Sequence, residues 1–365
     1  MKMIEQVPEY IRSLVPYEPG KPIEEVEREY GIAHSVKLAS NENPLGPAPK
    51  ALAAIRDRLG QLHRYPDGDC FYLKNGLAQK LGVAPERLIF GNGSNEIIEL
   101  AVRTFMRPGD EAVMAEQAFV VYQLVVQAAG GKGIQIPLNN FTHDLAAIGA
   151  AITAQTRIVF LANPNNPTGT IYRREEWEGF LKNVSPDVLL IVDEAYFEYV
   201  QDPDYPDSLR YHGAGRAILT LRTFSKLYGL AGLRVGYGIA PKEIIALMQR
   251  VRQPFNVNAV AQWAALAALD DGDHVQRSLA VNALGRKYLS DEFVRLGLEF
   301  VPSHGNFILL RVGRGQEVFA QLLKRGVIVR PMGAYNFPAH IRVTVGTEDE
   351  NHKFIGAISE IVSSL

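Results

Sequence analysis

The chain has 365 residues, beyond the size at which one hydrophobic core usually stops growing, so a large domain with a smaller companion and a cleft between them is expected. Hydrophobic residues make up 47% of the chain and charged residues 21%, the composition of a soluble globular protein. Its 38 basic side chains are matched by 40 acidic ones, which excludes the clustered positive charge of a nucleic-acid binder.

Met1 to Gly20 mix charges and prolines without an apolar run, so no secretory signal is read there and a cytoplasmic location is expected. Within that stretch and just beyond it, Val15 to Pro22 (VPYEPGKP) is punctuated by Pro and Gly and predicts an extended arm before a short helix. From Val36 to Ala240 short apolar runs alternate with amphipathic ones, the pattern of βα units on a mostly parallel sheet. The strand-like runs are Arg87–Phe90, Glu111–Met114, Ile134–Pro137, Arg157–Ala162, Val188–Val192, Ala217–Leu221 and Val235–Ile239. Ala259–Leu269 is broken by Gln262 and is too short to span a bilayer, so it reads as a core helix and no membrane partner is expected. A second helical pattern, Ser278–Leu296, precedes strand-like runs at Phe307–Arg311, Val327–Val329 and Ile341–Val345. The expected division is an arm over 1–35, a large domain over 36–255 and a small α+β domain over 256–365. The single cysteine, Cys70, reads as a packing residue, and His34, His63, His212 and His340 are isolated, so no metal is expected.

Ligands of open α/β sheets bind beyond the carboxyl ends of the strands, so the residues that follow each apolar run are the informative ones. Arg87–Phe90 leads into Gly91-Asn92-Gly93-Ser94, Arg157–Ala162 into Asn163 to Gly169, Val188–Val192 into Asp193, and Ala217–Leu221 into Thr223, Ser225 and Lys226. A lone strand-end Asp is usually a cap and a lone Lys is usually solvated, so only their convergence on one edge raises their weight. A lysine desolvated beside a carbonyl can lose its proton and form an imine, which suggests pyridoxal 5'-phosphate as cofactor. The pyridine nitrogen of such a cofactor needs a buried carboxylate, for which Asp193 stands ready, and its ring hydroxyl needs donors, for which Asn166 and Tyr196 are suited. Its phosphate needs a helix N-terminus, hydroxyls and a guanidinium: Gly93-Ser94-Asn95, then Thr223 and Ser225, then Arg234. Gly91-Asn-Gly93 lacks the third glycine of a dinucleotide fingerprint, and Gly236-Tyr-Gly238 reads as close strand packing.

Taken together, Asn166-Pro-Thr-Gly169, Asp193-Glu-Ala-Tyr196, Thr223-Phe-Ser225-Lys226 and Arg234 resemble the fold-type I, aspartate-aminotransferase-like enzymes that use pyridoxal 5'-phosphate. The segments VPYEPGKPIEEVEREYGI, LASNENPLGPAP, RYPDG, NFILL and IRVTVGT narrow the resemblance to the histidinol-phosphate aminotransferase family over nearly the whole chain. The resemblance implies that Lys226 holds the cofactor as a Schiff base and then serves as acid and base. It also implies that Tyr17, Asn43, Asn166, Arg330 and Arg342 surround the substrate. Tyr65 would come from the second subunit of a homodimer, and Phe119 would stack on the cofactor ring where many members carry tyrosine. The implied substrates are L-histidinol phosphate and 2-oxoglutarate. Because the motifs serve the cofactor, an aromatic amino-acid aminotransferase or a phosphate-bearing amino-acid decarboxylase on the same fold is the alternative.

Overall fold

Residues 2–17, 20–213 and 215–363 are described in the structure, a computed structural model. The strands in chain order are β1 (Val36–Lys37), β2 (Leu88–Asn92), β3 (Glu111–Ala115), β4 (Lys132–Ile136), β5 (Thr156–Ala162), β6 (Leu189–Asp193), β7 (Ile218–Thr223) and β8 (Val235–Ile239), followed by β9 (Phe300–Val301), β10 (Phe307–Arg311), β11 (Val327–Ile328), β12 (Arg330–Pro331) and β13 (His340–Thr344). Strands β2 to β8 form one seven-stranded sheet in the order β2-β8-β7-β6-β5-β3-β4. All its pairings are parallel except the two made by β8.

The central strands are apolar on both faces because both faces are covered. Ile158 and Phe160 of β5 and Leu189 and Ile191 of β6 pack with Ile97, Ile98 and Ala101 of the helix Ser94–Phe105. Their alternating neighbours Val159, Leu161, Leu190 and Val192 turn the other way, onto Trp177 and Phe180 of the helix Arg174–Asn183. The two-residue period of a strand thus feeds two cores, and the sequence reads as a continuous apolar run.

The small domain is a four-stranded sheet, β12-β13-β10-β9, packed against the helices Gly272–Arg295, Gly315–Leu323 and Glu348–Val362. Two expectations about its limits are corrected by packing. Ala259–Leu269 is a helix, but Ala261, Ala264, Ala265, Ala268 and Leu269 join Leu73, Leu88, Phe90 and Val235 in a core of the large domain, so by packing the boundary lies beyond that helix and not at 255. In the other direction β1 pairs in parallel with β11, which carries Val36 and Lys37 to the small domain. Both shifts are tertiary choices that an apolar helix or a two-residue strand does not announce locally. Among the described residues no helix is long and apolar enough to cross a membrane, and no group of three or more His, Cys, Asp or Glu side chains is placed to hold a metal.

Beneath the end of β6 lies a charged cluster. The guanidinium of Arg222 donates to Glu194 Oε2 at 2.9 and 2.8 Å and to Asp207 Oδ1 at 2.8 Å, and it lies 3.5 Å from the Phe197 ring centroid. Glu194 also accepts from the Ser208 N–H and is fully buried. Removing the cation strands a buried carboxylate, so Arg222→Ala is expected to cost about 3–5 kcal/mol, read as a fall in the denaturation midpoint. Lys287→Ala, which breaks an ion pair exposed on both sides, is expected to stay within about 0.5 kcal/mol of the parent in the same measurement.

Candidate active site

Register brings the strand ends level. Ala162 pairs with Asp193, Asp193 with Leu221, Thr223 with Gly236, and Asn92 with Val235, so the ends of β5, β6, β7 and β2 and the start of β8 share one edge. Beyond that edge is a cleft of about 210 Å³ whose wall includes Ser94, Asn95, Phe119, Asn166, Asp193 and Tyr196. Thr223, Ser225, Lys226, Arg234, Tyr17, Arg330 and Arg342 complete the predicted part of that wall.

Lys226 follows β7 and is turned inward, with Nζ donating to the Ser40 carbonyl at 3.0 Å and lying 5.6 Å from the Tyr196 ring centroid. Burial, reinforced by the nearby positive charges of Arg342 and Arg234, lowers its pKa to about 7. Asp193 closes β6. Its Oδ2 accepts from the Tyr122 hydroxyl at 2.8 Å and its Oδ1 from the Ala195 N–H at 3.1 Å. Burial raises its pKa, while these two donors and Lys226 pull the other way. Tyr122 is itself held by stacking on Phe160 at 4.7 Å and by the edge of Phe119 at 5.7 Å.

The end of β2 supplies the anion-binding side. Gly93 caps the helix Ser94–Phe105 with φ of 76°, and a Cβ placed there would meet Arg234 Nη2 at 2.4 Å. On β8, a Cβ on Gly236 would meet the Ser94 backbone nitrogen at 2.5 Å. Only glycine lets the helix N-terminus, β8 and the guanidinium approach this closely, so Gly236 serves close packing as the sequence suggests. Arg234, in the left-handed region with φ of 55°, reaches Ser225 Oγ at 3.5 Å, and the Ser225 N–H donates to Thr223 Oγ1 at 3.0 Å. The result is a pocket of backbone N–H groups, hydroxyls and one guanidinium at the positive end of a helix.

The small domain contributes two arginines. Arg330 of β12 and Arg342 of β13 are direct cross-strand partners. Arg342 is buried and donates to Asn166 Oδ1 and to the Ala39 carbonyl, both neutral acceptors, while its Nε has no partner. Arg330 lies 5.4 Å from the ring centroid of Tyr17, which the N-terminal arm carries to the mouth of the cleft.

Two predicted residues stand elsewhere. Asn43 does not line the cleft: its amide is occupied by the Leu227 carbonyl at 2.7 Å and Ser278 Oγ at 2.9 Å, and its Oδ1 by the Leu45 N–H. Tyr65 is 83% exposed, stacked on Phe255 at 5.0 Å and outside the cleft of its own chain. Conversely, Asn41, Tyr122 and Tyr335 line the cleft without having been singled out. Asn41 lay two positions from Asn43 in the same SNENP motif, and Tyr122 three positions after Phe119, which are the only local signals either offered.

The family described as aminotransferase class I and II matches residues 33–358. The histidinol-phosphate aminotransferase of Moorella thermoacetica is 53% identical over 357 residues, 97% of this chain and 92% of that protein. The one from Methylobacillus flagellatus is 49% identical over 365 residues, 100% of this chain and 99% of that protein. The crystal structure of histidinol-phosphate aminotransferase from Sinorhizobium meliloti in complex with pyridoxal 5'-phosphate aligns with a TM-score of 0.90 at 28% identity, covering 98% of each chain. Sequence motifs, strand-end geometry and full-length similarity agree: the chain belongs to the class I and II aminotransferase family, on its histidinol-phosphate aminotransferase branch.

Proposed function

We propose that the chain transfers the amino group of L-histidinol phosphate to 2-oxoglutarate, giving imidazole-acetol phosphate and L-glutamate, with pyridoxal 5'-phosphate held in the cleft at the strand ends. The observation that carries this reading is the meeting of a buried amine, Lys226, and a buried carboxylate, Asp193, in a cleft walled by two adjacent arginines. The donor set fits the cofactor. The glycine-permitted cradle of Ser94, Asn95, Thr223, Ser225 and Arg234 suits its phosphate, the carboxylate of Asp193 suits its ring nitrogen, and the face of Phe119 suits its ring. When bound, pyridoxal 5'-phosphate supplies an aldehyde that takes up the amino group and a ring that withdraws electrons from the substrate carbon.

The chain's own residues supply the rest. Lys226 Nζ, about half neutral at pH 7, is a nucleophile and would afterwards be the base that accepts the proton of the substrate Cα and gives it up on the cofactor's side. Asp193, whose carboxylate accepts from Tyr122 and the Ala195 N–H against the upward push of burial, would keep a proton on the ring nitrogen of the cofactor. Asn166, with Oδ1 engaged by Arg342, offers its NH2 end to an oxygen in the cleft, and Tyr196 offers a hydroxyl. Two arginines directly opposed across a strand pair repel each other, and one is buried against neutral oxygens only, so an anion between them offsets a standing cost. The phosphate of one substrate and a carboxylate of the other both meet that need, which lets one site serve both half-reactions. Tyr17 closes over the substrate from the arm.

In this reading Tyr65 serves the cleft of a second copy in a homodimer. The exposure of Tyr65 and its stacking partner Phe255, with that of Phe71 and Tyr72, supports an aromatic surface that a second copy would cover. A cytoplasmic setting accords with a lone buried cysteine that has no disulfide to lose.

The protein loaded with pyridoxal 5'-phosphate is expected to show a visible absorbance band that is lost on adding L-histidinol phosphate, returns with 2-oxoglutarate, and is missing from Lys226→Ala. A band that ignores histidinol phosphate but responds to phenylalanine or threonine phosphate would transfer the substrate to the aromatic or decarboxylase alternative. Covalent capture of pyridoxal 5'-phosphate by the unloaded protein should accelerate as pH rises through about 7 and level off above it, because only the neutral amine attacks and burial has lowered its pKa to that value. An inflection near the ordinary lysine value of 10.5 would show that the amine is solvated instead. Sedimentation should give a dimer, and a fully active monomer would remove Tyr65 from the site.

A further inference from the structure

Asn41 lines the cleft, and its side chain is bonded to both domains. Its Nδ2 donates to the Tyr196 hydroxyl oxygen at 2.8 Å on the large-domain side, and its Oδ1 accepts from Thr344 Oγ1 at 3.2 Å on the small-domain side. Thr344 Oγ1 in turn accepts from the Asn41 N–H at 2.9 Å, so the threonine hydroxyl both accepts from the Asn41 backbone and donates to its side chain. In this arrangement the NH2 end of the amide faces Tyr196 and its oxygen faces Thr344. An oxygen that already accepts from Asn41 keeps its own hydrogen for another acceptor, and Tyr196 lines the cleft with its ring fixed against Phe307 at 5.0 Å. The backbone agrees with the side chain. Asn41 has φ of 55°, a left-handed conformation that asparagine tolerates better than other non-glycine residues, and such conformations persist where the surroundings enforce them.

We propose that Asn41 is a positioning residue that fixes Tyr196 as a hydrogen-bond donor into the cleft, toward the anionic ring oxygen of the cofactor, and that Thr344 anchors this orientation from the small domain. The inference rests on the cofactor reading above. Asn41 acts through Tyr196, and its removal leaves the phenol free to turn its proton away. A donor aimed at an anionic oxygen favours the more negative form of the bound group, so its loss must make that group easier to protonate. Asp193, Lys226, Arg342 and Tyr335 also face Tyr196 and are unchanged by substitution at 41, so they form a constant background.

The test is a pH titration of the Lys226-dependent visible band of the loaded protein. Asn41→Ala and Asn41→Gly are both expected to move the midpoint upward by about 0.5–1 pH unit, the scale of one ordinary hydrogen bond. Glycine keeps the left-handed backbone available, so a shift common to both variants is not a backbone effect. Asn41→Asp should move the midpoint further up, because a carboxylate there takes the Tyr196 proton for itself. In a Tyr196→Phe background Asn41→Ala should add no shift beyond about 0.2 unit, since the phenol through which it acts is gone. A midpoint that moves with Tyr196→Phe but ignores Asn41→Ala overturns the proposal, as does a full Asn41→Ala shift that persists without the phenol. If the unsubstituted loaded protein has no Lys226-dependent band, the cofactor reading fails first and the proposal with it, so the two failures are distinguishable.

Discussion

Burying an amine and a carboxylate at the ends of neighbouring strands is the costly act around which this structure is arranged. Desolvation pushes Lys226 toward the neutral form that attacks and raises the pKa of Asp193, so left alone only the carboxylate would lose the charge state that makes it useful. The carboxylate is rescued by two donors, Tyr122 and the Ala195 N–H, and the fold supplies both cheaply: one from an aromatic stack on β5, the other from the turn that ends β6. The amine is not rescued, and Ser40 gives it only a carbonyl. That asymmetry is what separates a resting ion from a nucleophile in the same cleft.

How much of this could be read in the chain follows from which constraints are local. A parallel strand covered on both faces is a continuous apolar run, so β5 and β6 were visible as Arg157–Ala162 and Val188–Val192 with ends displaced by a residue. The first polar residues after such runs must sit at the sheet edge, which is why Asn166, Asp193 and Lys226 converge as expected. Tyr122 was not visible because its partner is 71 residues away and its local setting, a short amphipathic helix, is ordinary. The Arg330–Arg342 pairing was hidden for a related reason: β12 is two residues long and exists only because β13 lies beside it. Asn43 and Asn41 show the limit most sharply, since one motif supplies both amides and only the path of the chain through the domain seam decides which one faces the cleft.

That path explains how a small domain with no strand-end groups of its own influences chemistry at the large sheet. Between Leu38 and Asn41 four consecutive carbonyls accept from four different places: the Thr344 N–H, the Arg342 guanidinium, Lys226 Nζ and the Asn306 amide. The first, second and fourth donors belong to the small domain, and the third is the buried amine itself. A segment bonded this way is shared by the small domain and Lys226, with the Arg342 contact one peptide away from the amine's. Arg342 and Lys226 thus donate to adjacent peptide carbonyls of one seam segment, which ties the small-domain sheet to the amine without a long relay.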